Sequence, residues 1–313
     1  MIDRRLILLV TLALACIIAF MTIGLRGNLG FVLSLRAIKL IALIEVGIAI
    51  SVSTVVFQTV TANRILTPSI MGIDALYLFA QIFLVFLLGG LAYTSLDAKL
   101  KFGVEVVALM ALSLGLILPM LRARLDMGLL LLVGIVIGVL FRSLHSLIAR
   151  VIDPNDFAVA QASSYANFND INSELLTVAS LLTLAALVFV WRARHVLDVV
   201  ALGRHTAIGL GINWTRIQVA CLLLVALLVA VSTALVGPVA FLGLLFVALA
   251  ERIVATRRHS ILIPAVALVA IIVLVGGQTL FQHLLGNSST LGVVVEFAGG
   301  VVFLILLWRG SGK

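Results

Sequence analysis

The sequence predicts an all-α, polytopic membrane protein with about ten transmembrane helices and both termini on the inner side. Three observations carry that reading. Of 313 residues, 63% are hydrophobic and only 11% are charged, whereas soluble globular domains run near 45–50% apolar and about 25% charged. Mean hydropathy is +1.31, which assigns most of the chain to lipid. A spanning helix takes about 20 residues plus a short connection, so at roughly 30 residues per span the length allows about ten helices. No room is left for a soluble domain, and residues 1–313 read as a single transmembrane domain. This composition excludes a soluble enzyme, a disordered chain and a nucleic-acid-binding domain.

Taken in order, the apolar runs place a first helix at 6–24. It follows a basic start and contains Cys16, which together resemble a leader, but the run continues through Ile23 and fits a span better than a cleaved signal. The second helix is expected at 37–61, the third at 73–92, the fourth at 103–121 and the fifth at 127–149. Asp153 to Glu174 is too polar to span. The sixth helix is expected at 175–191, and a second polar stretch, 192–215, follows it. The seventh is placed at 216–235, broken by Gly237-Pro238, and the eighth at 239–251. The ninth and tenth are placed at 260–281 and 291–308.

Orientation follows from the basic residues. With the N-terminus inside, 14 of the 21 Lys and Arg fall on inner loops and 7 on outer ones. That bias is the positive-inside pattern, and it supports N-in and C-in with an even helix count. Trp191, Trp214 and Trp308 then all lie at the inner interface, as aromatic anchors. The same pattern accounts for the net charge of +8 without nucleic acid. Cys16 and Cys221 are far apart, lie in apolar runs and have no Cys or His company, so neither a disulfide nor a metal site is indicated. No cofactor is implied.

Three segments exceed generic membrane composition. They are Gln58 to Ile73, which contains Asn63-Arg-Ile-Leu-Thr-Pro68-Ser-Ile-Met-Gly72; Leu202-Gly203-Arg-His-Thr-Ala207-Ile-Gly-Leu210-Gly211; and Gly237-Pro238-Val-Ala-Phe241-Leu-Gly243-Leu244. In order and spacing the chain resembles, over nearly its whole length, the permease subunits of the iron-siderophore and cobalamin branch of ABC importers. The Asn63–Gly72 segment looks most like the ferric-catecholate permeases. One departure is visible: where many members carry Pro-His after the Gly-Leu pair, Val247-Ala248 stand here, with Glu251 and Arg252 downstream. A role for that His does not transfer.

The resemblance implies roles for particular residues. Gly203, Arg204, Ala207, Leu210 and Gly211 would form a short coupling helix that docks on an ATP-binding cassette subunit. No GxxxxGK[ST] motif occurs in the chain, so ATP chemistry belongs to that partner. Arg36 and Lys39, spaced i, i+3 and so on one helix face, match a basic pair that meets acidic residues of a periplasmic or lipoprotein substrate-binding protein. Snorkelling lipid anchors are the plainer alternative. Segment 153–174 resembles a short outer helix capping the path.

Arg142 and His145 are also spaced i, i+3. The apolar run before them, Met127 to Phe141, has 15 residues and reaches only about 22 Å, against a core of about 30 Å. Either the helix continues through both residues, which then reach a translocation path, or it ends near Phe141 and leaves them at the interface. Glu45, Glu105 and Glu296 lie in apolar segments and need partners or protons. They would be packing or cavity residues in an ABC permease, and coupling sites in a proton-driven carrier. Gly89-Gly90, Gly276-Gly277 and Gly299-Gly300 suit close helix packing.

The expected function is a non-enzymatic permease subunit of an ABC importer in the bacterial inner membrane, carrying a ferric siderophore, with a ferric catecholate preferred. A second permease chain completes it, a heterodimer being preferred over a homodimer. The alternatives are a cobalamin or haem importer of the same family and, from another class, a proton-coupled secondary transporter.

Overall fold

The computed structural model describes residues 4–25, 28–69, 71–123, 127–162, 164, 166–169, 171–284 and 300. The expected tenth helix, together with Glu296, Gly299 and Trp308, lies outside the described residues. Among those described, thirteen helices occur: α1 Arg4–Thr22, α2 Leu29–Thr61, α3 Ile73–Leu88, α4 Gly90–Ser95, α5 Ala98–Arg122, α6 Met127–Val151, α7 Pro154–Ala162, α8 Ser173–Arg192, α9 Arg194–Val200, α10 Arg204–Gly209, α11 Trp214–Val236, α12 Leu242–Val254 and α13 His259–Leu284. Seven stretches are long and apolar enough to cross a membrane, and α3 is a shorter apolar helix. The first nine expected spans fall on α1, α2, α3, α5, α6, α8, α11, α12 and α13.

Several boundaries differ from expectation by three to eight residues, two of them for a clear local reason. Helix α2 begins at Leu29, not near 37, because Asn28 caps it: its side chain accepts from the backbone N–H of Gly30 and Phe31. The expected third span breaks at Gly89, whose φ of 79° and ψ of 150° interrupt the helix between α3 and α4. Gly90 then packs against α7. Its N–H donates to Asp156 Oδ1 at 2.9 Å, and a Cβ there would stand 2.5 Å from that same oxygen.

At 33 residues α2 is about 50 Å long, well beyond a bilayer core of about 30 Å. It is also the centre of the bundle: 72% of its most apolar window is buried, against 17% for α1 and 11% for α6. Helices α11, α12 and α13 pack around it. Small residues set the close approaches. A Cβ on Gly243 would run into Thr54 Oγ1 on α2 and stand 3.2 Å from Ile50. Gly47 lies against Ala270 and Leu274 of α13, and Gly276 of α13 against Cys16 of α1. Within α2, the hydroxyls of Ser51, Ser53 and Thr54 donate to backbone carbonyls three or four residues earlier.

The loop between α2 and α3 is fixed from both sides. Ala62 closes α2 in the left-handed conformation, φ 50°. Gln58 Nε2 donates to the Arg64 carbonyl at 2.6 Å, and Asn63 Oδ1 accepts from the Ile65 N–H. At its far end Gly72 has φ +90°, and a Cβ on it would stand 3.0 Å from the Cα of Gly138 on α6. Met71 meanwhile lies against Gly134, one turn earlier on α6. Glycine is therefore demanded at 72 by dihedral and by space together. Helix α6 packs mainly on α3, and it leaves Leu132, Val136, Val139 and Leu140 exposed.

Candidate functional site

The two ends of α2 carry different chemistry. Lys39 and Thr59 are separated by about 30 Å along the helix. The end near Thr59 holds α9 and α10, and the end near Lys39 holds the segment after α7.

At the first end, α10 is a six-residue helix between two glycines with positive φ, Gly203 at 93° and Gly211 at 86°. Gly211 N–H donates to the Ile208 carbonyl at 2.9 Å and Ile212 N–H to the Ala207 carbonyl at 3.0 Å. This is a Schellman stop, which calls for a left-handed residue at Gly211. Its faces are divided. Ala207 is fully buried, while Leu202, Ile208 and Leu210 are exposed. Ala207, expected among docking residues, is turned toward its own chain. Ile208, which the sequence reading passed over, stands on the outer face with Leu210.

Beneath α10 lies a polar chain that no sequence motif announced. Asp198 Oδ1, on α9, accepts from the backbone N–H of His259 at 2.8 Å and sits 2.7 Å from its Nδ1. The other ring nitrogen, Nε2, is 2.9 Å from Thr59 Oγ1 near the end of α2. His259 is 2% exposed and is the first residue of α13. The chain borders a cleft of about 210 Å³ whose rim includes Gln58, Arg64, Glu251 and Arg257. Glu251, at the position where the family departure was noted, thus lines a cleft at this end.

At the other end, Arg36 and Lys39 have different partners within the chain. Arg36 Nη1 donates to the carbonyls of Phe20 and Ile23 at 2.7 and 2.8 Å, and Nη2 to that of Gly24 at 3.3 Å. Its guanidinium thereby closes the C-terminus of α1, where unpaired carbonyls attract a cation. Lys39 Nζ reaches Asn169 Oδ1. Both line a cleft of about 450 Å³ shared with Gly24, Phe168, Asn169 and His283. The 153–174 segment contains α7 and is tied to α11 by the Asn167 N–H, which donates to the Val236 carbonyl at 2.7 Å.

Helix α6 runs unbroken through Arg142 and His145 to Val151, which removes the alternative of a helix ending near Phe141. Arg142 is exposed and His145 half-buried. Both buried glutamates are met by hydroxyls. Thr183 Oγ1 donates to Glu45 Oε1 at 2.7 Å. Tyr93 links Gln81 and Glu105, with Lys101 Nζ 3.8 Å above its ring. Among the described residues, no three His, Cys, Asp or Glu side chains gather to hold a metal ion.

Comparison with known proteins matches residues 5–309 to the model of the FecCD transport family. The petrobactin import system permease protein YclO of Bacillus subtilis (strain 168) is 43% identical over 98% of this chain and 98% of its own. The petrobactin import system permease protein FatC of Bacillus anthracis is 29% identical over 88% of this chain and 78% of its own. Among solved structures, a metal-chelate type ABC transporter in an inward-facing conformation superposes with a TM-score of 0.82. It covers 98% of this chain and 99% of that one at 19% identity, which speaks to the fold alone.

Proposed function

This chain belongs to the FecCD transport family, and from that premise we propose that it carries a petrobactin-type ferric siderophore across the membrane. It is a multi-pass permease subunit of an ABC importer in the bacterial cell membrane, and an ATPase and a substrate-binding protein complete the machine. One observation carries the choice of substrate: 43% identity over 98% of both chains to a petrobactin permease.

The finer assignments are ours. The chain forms one domain of ten spans, with the α10 end in the cytoplasm, as its basic residues favour. The exposed side chains on and beside α10, Leu202, Ile208 and Leu210 with Arg204, dock on the ATP-binding subunit, which hydrolyses ATP. Lys39, with Arg36 behind it, meets acidic groups of the binding protein at the α7 end. Arg142 and His145 on α6 face a path shared with a second permease chain. A different partner chain, giving a heterodimer, is preferred to a second copy.

The test is uptake of iron-55 bound to petrobactin by cells lacking this chain, with and without the chain restored, alongside ferric hydroxamate and vitamin B12. Restoration of ferric petrobactin uptake alone is expected. Restoration of the hydroxamate or the vitamin instead would overturn the substrate assignment.

A further inference from the structure

We propose that Asp198, His259 and Thr59 form the transmission element that makes α2 and α13 follow the docking segment α9–α10. The inference rests on the proposed docking of α10 and adds positioning residues to it.

The geometry gives a single load path. Asp198 is on α9, five residues before Gly203, where α10 begins. One carboxylate oxygen holds both the backbone N–H and the ring Nδ1 of His259. The backbone bond makes Asp198 the N-terminal cap of α13, supplied from another helix, and its charge suits the positive end of α13. The ring then crosses to Thr59 on α2. Thus α9, α13 and α2, three elements from distant parts of the sequence, meet at one buried imidazole. The imidazole end of these bonds is buried while the Asp198 carboxylate is 32% exposed, so losing the partner of a ring nitrogen leaves a buried polar group unpaired.

Thr59 can change partners. Its hydroxyl has one proton, and two acceptors lie in range: the Val55 carbonyl at 2.8 Å and His259 Nε2 at 2.9 Å. With Nδ1–H given to Asp198, the hydroxyl either donates to Nε2 or accepts from an Nε2–H while donating to Val55. Either arrangement keeps α2 joined to the ring. A valine at 59 keeps the shape and removes both.

The experiment uses the assembled importer in proteoliposomes with its ATP-binding and substrate-binding subunits, and ferric petrobactin as the probe. Two quantities are read: ATP hydrolysed per iron imported, and ATP-binding subunit retained by the permease. Thr59→Val and His259→Leu are expected to retain the subunit and to raise ATP used per iron about tenfold, the scale of one buried hydrogen bond. Thr59→Ser, which restores the hydroxyl, is expected to return the ratio to the wild-type value. A wild-type ratio in both Thr59→Val and His259→Leu overturns the proposal. So does equal impairment in Thr59→Val and Thr59→Ser, which would mark a packing role. Arg204→Glu separates the premise: full assembly and uptake in that variant would sink the docking of α10, whatever Thr59→Val shows.

Discussion

Lys39 Nζ donates to Asn169 Oδ1 at 2.5 Å, fastening the N-terminal part of α2 to the segment that follows α7. Arg36, one turn earlier, is bound instead to the carbonyl end of α1. The two cations therefore have separable effects. Lys39→Glu should slow association with the substrate-binding protein and flatten its dependence on salt, because electrostatic steering is a rate effect. Stopped-flow association across a salt titration checks this; unchanged rates would leave Lys39 a local fastener. Arg36→Glu should in addition lower thermal stability by about 1–3 kcal/mol, since several carbonyls lose a charged donor.

Gly211 closes α10 at φ +86°. Gly211→Val should cost about 1–2 kcal/mol from the dihedral alone and tilt the exposed Ile208 and Leu210. The expected result is an importer that hydrolyses ATP but moves little iron, or that loses its ATP-binding subunit on purification. Full retention and full uptake would refute the docking role of this turn.

The crossing of α12 over α2 admits no side chain at 243. Gly243→Ala should destabilise the permease by about 1–3 kcal/mol through overpacking against Thr54. Thr54→Ala introduced in the same chain should recover part of the loss, because it removes the atom nearest the new methyl. Melting of purified single and double variants measures the coupling between them, and strictly additive losses would disprove it.

Arg142 is exposed on a helix whose packing is confined largely to α3. With Cys16 and Cys221 first replaced by Ser or Ala, Arg142→Cys should react with a water-soluble thiol reagent, and bound substrate should slow the reaction. Arg142→Ala should impair uptake. Normal uptake in the Ala variant together with labelling indifferent to substrate would return Arg142 to the lipid interface.

The spans were legible because lipid imposes a length and an apolar run records it. What the runs do not encode is where a helix stops inside one. The break at Gly89 sits within continuous apolar sequence, and only the Gly89-Gly90 pair hinted at it. The early start of α2 was concealed by Arg36 and Lys39, which read as interface residues. Asn28, a strong N-cap, was the signal that marks it. The facing of Ala207 needed the fold, since a six-residue helix shows too little periodicity to choose a side. Asp198 and His259 are 61 residues apart, and no local pattern ties a carboxylate to an imidazole at that distance. The short helix at 204–209 was legible because Gly203 and Gly211 bracket it, for the dihedral reason seen at Gly211.

Between Glu45, bonded to α8, and Thr59, bonded to the His259 ring, α2 runs for about 21 Å. Along that length the hydroxyls of Ser51, Ser53 and Thr54 are turned back onto the helix's own carbonyls. Toward α11, α12 and α13 the middle of α2 thus presents shape rather than directional bonds. Dispersion contacts of this kind can be exchanged for equivalent ones when a helix shifts or turns, whereas a hydrogen bond must be broken before it is replaced. Between Glu45 and Thr59 the central helix is therefore located by the fit of its side chains against α11, α12 and α13, with its bonds to other elements gathered toward the two ends of that stretch.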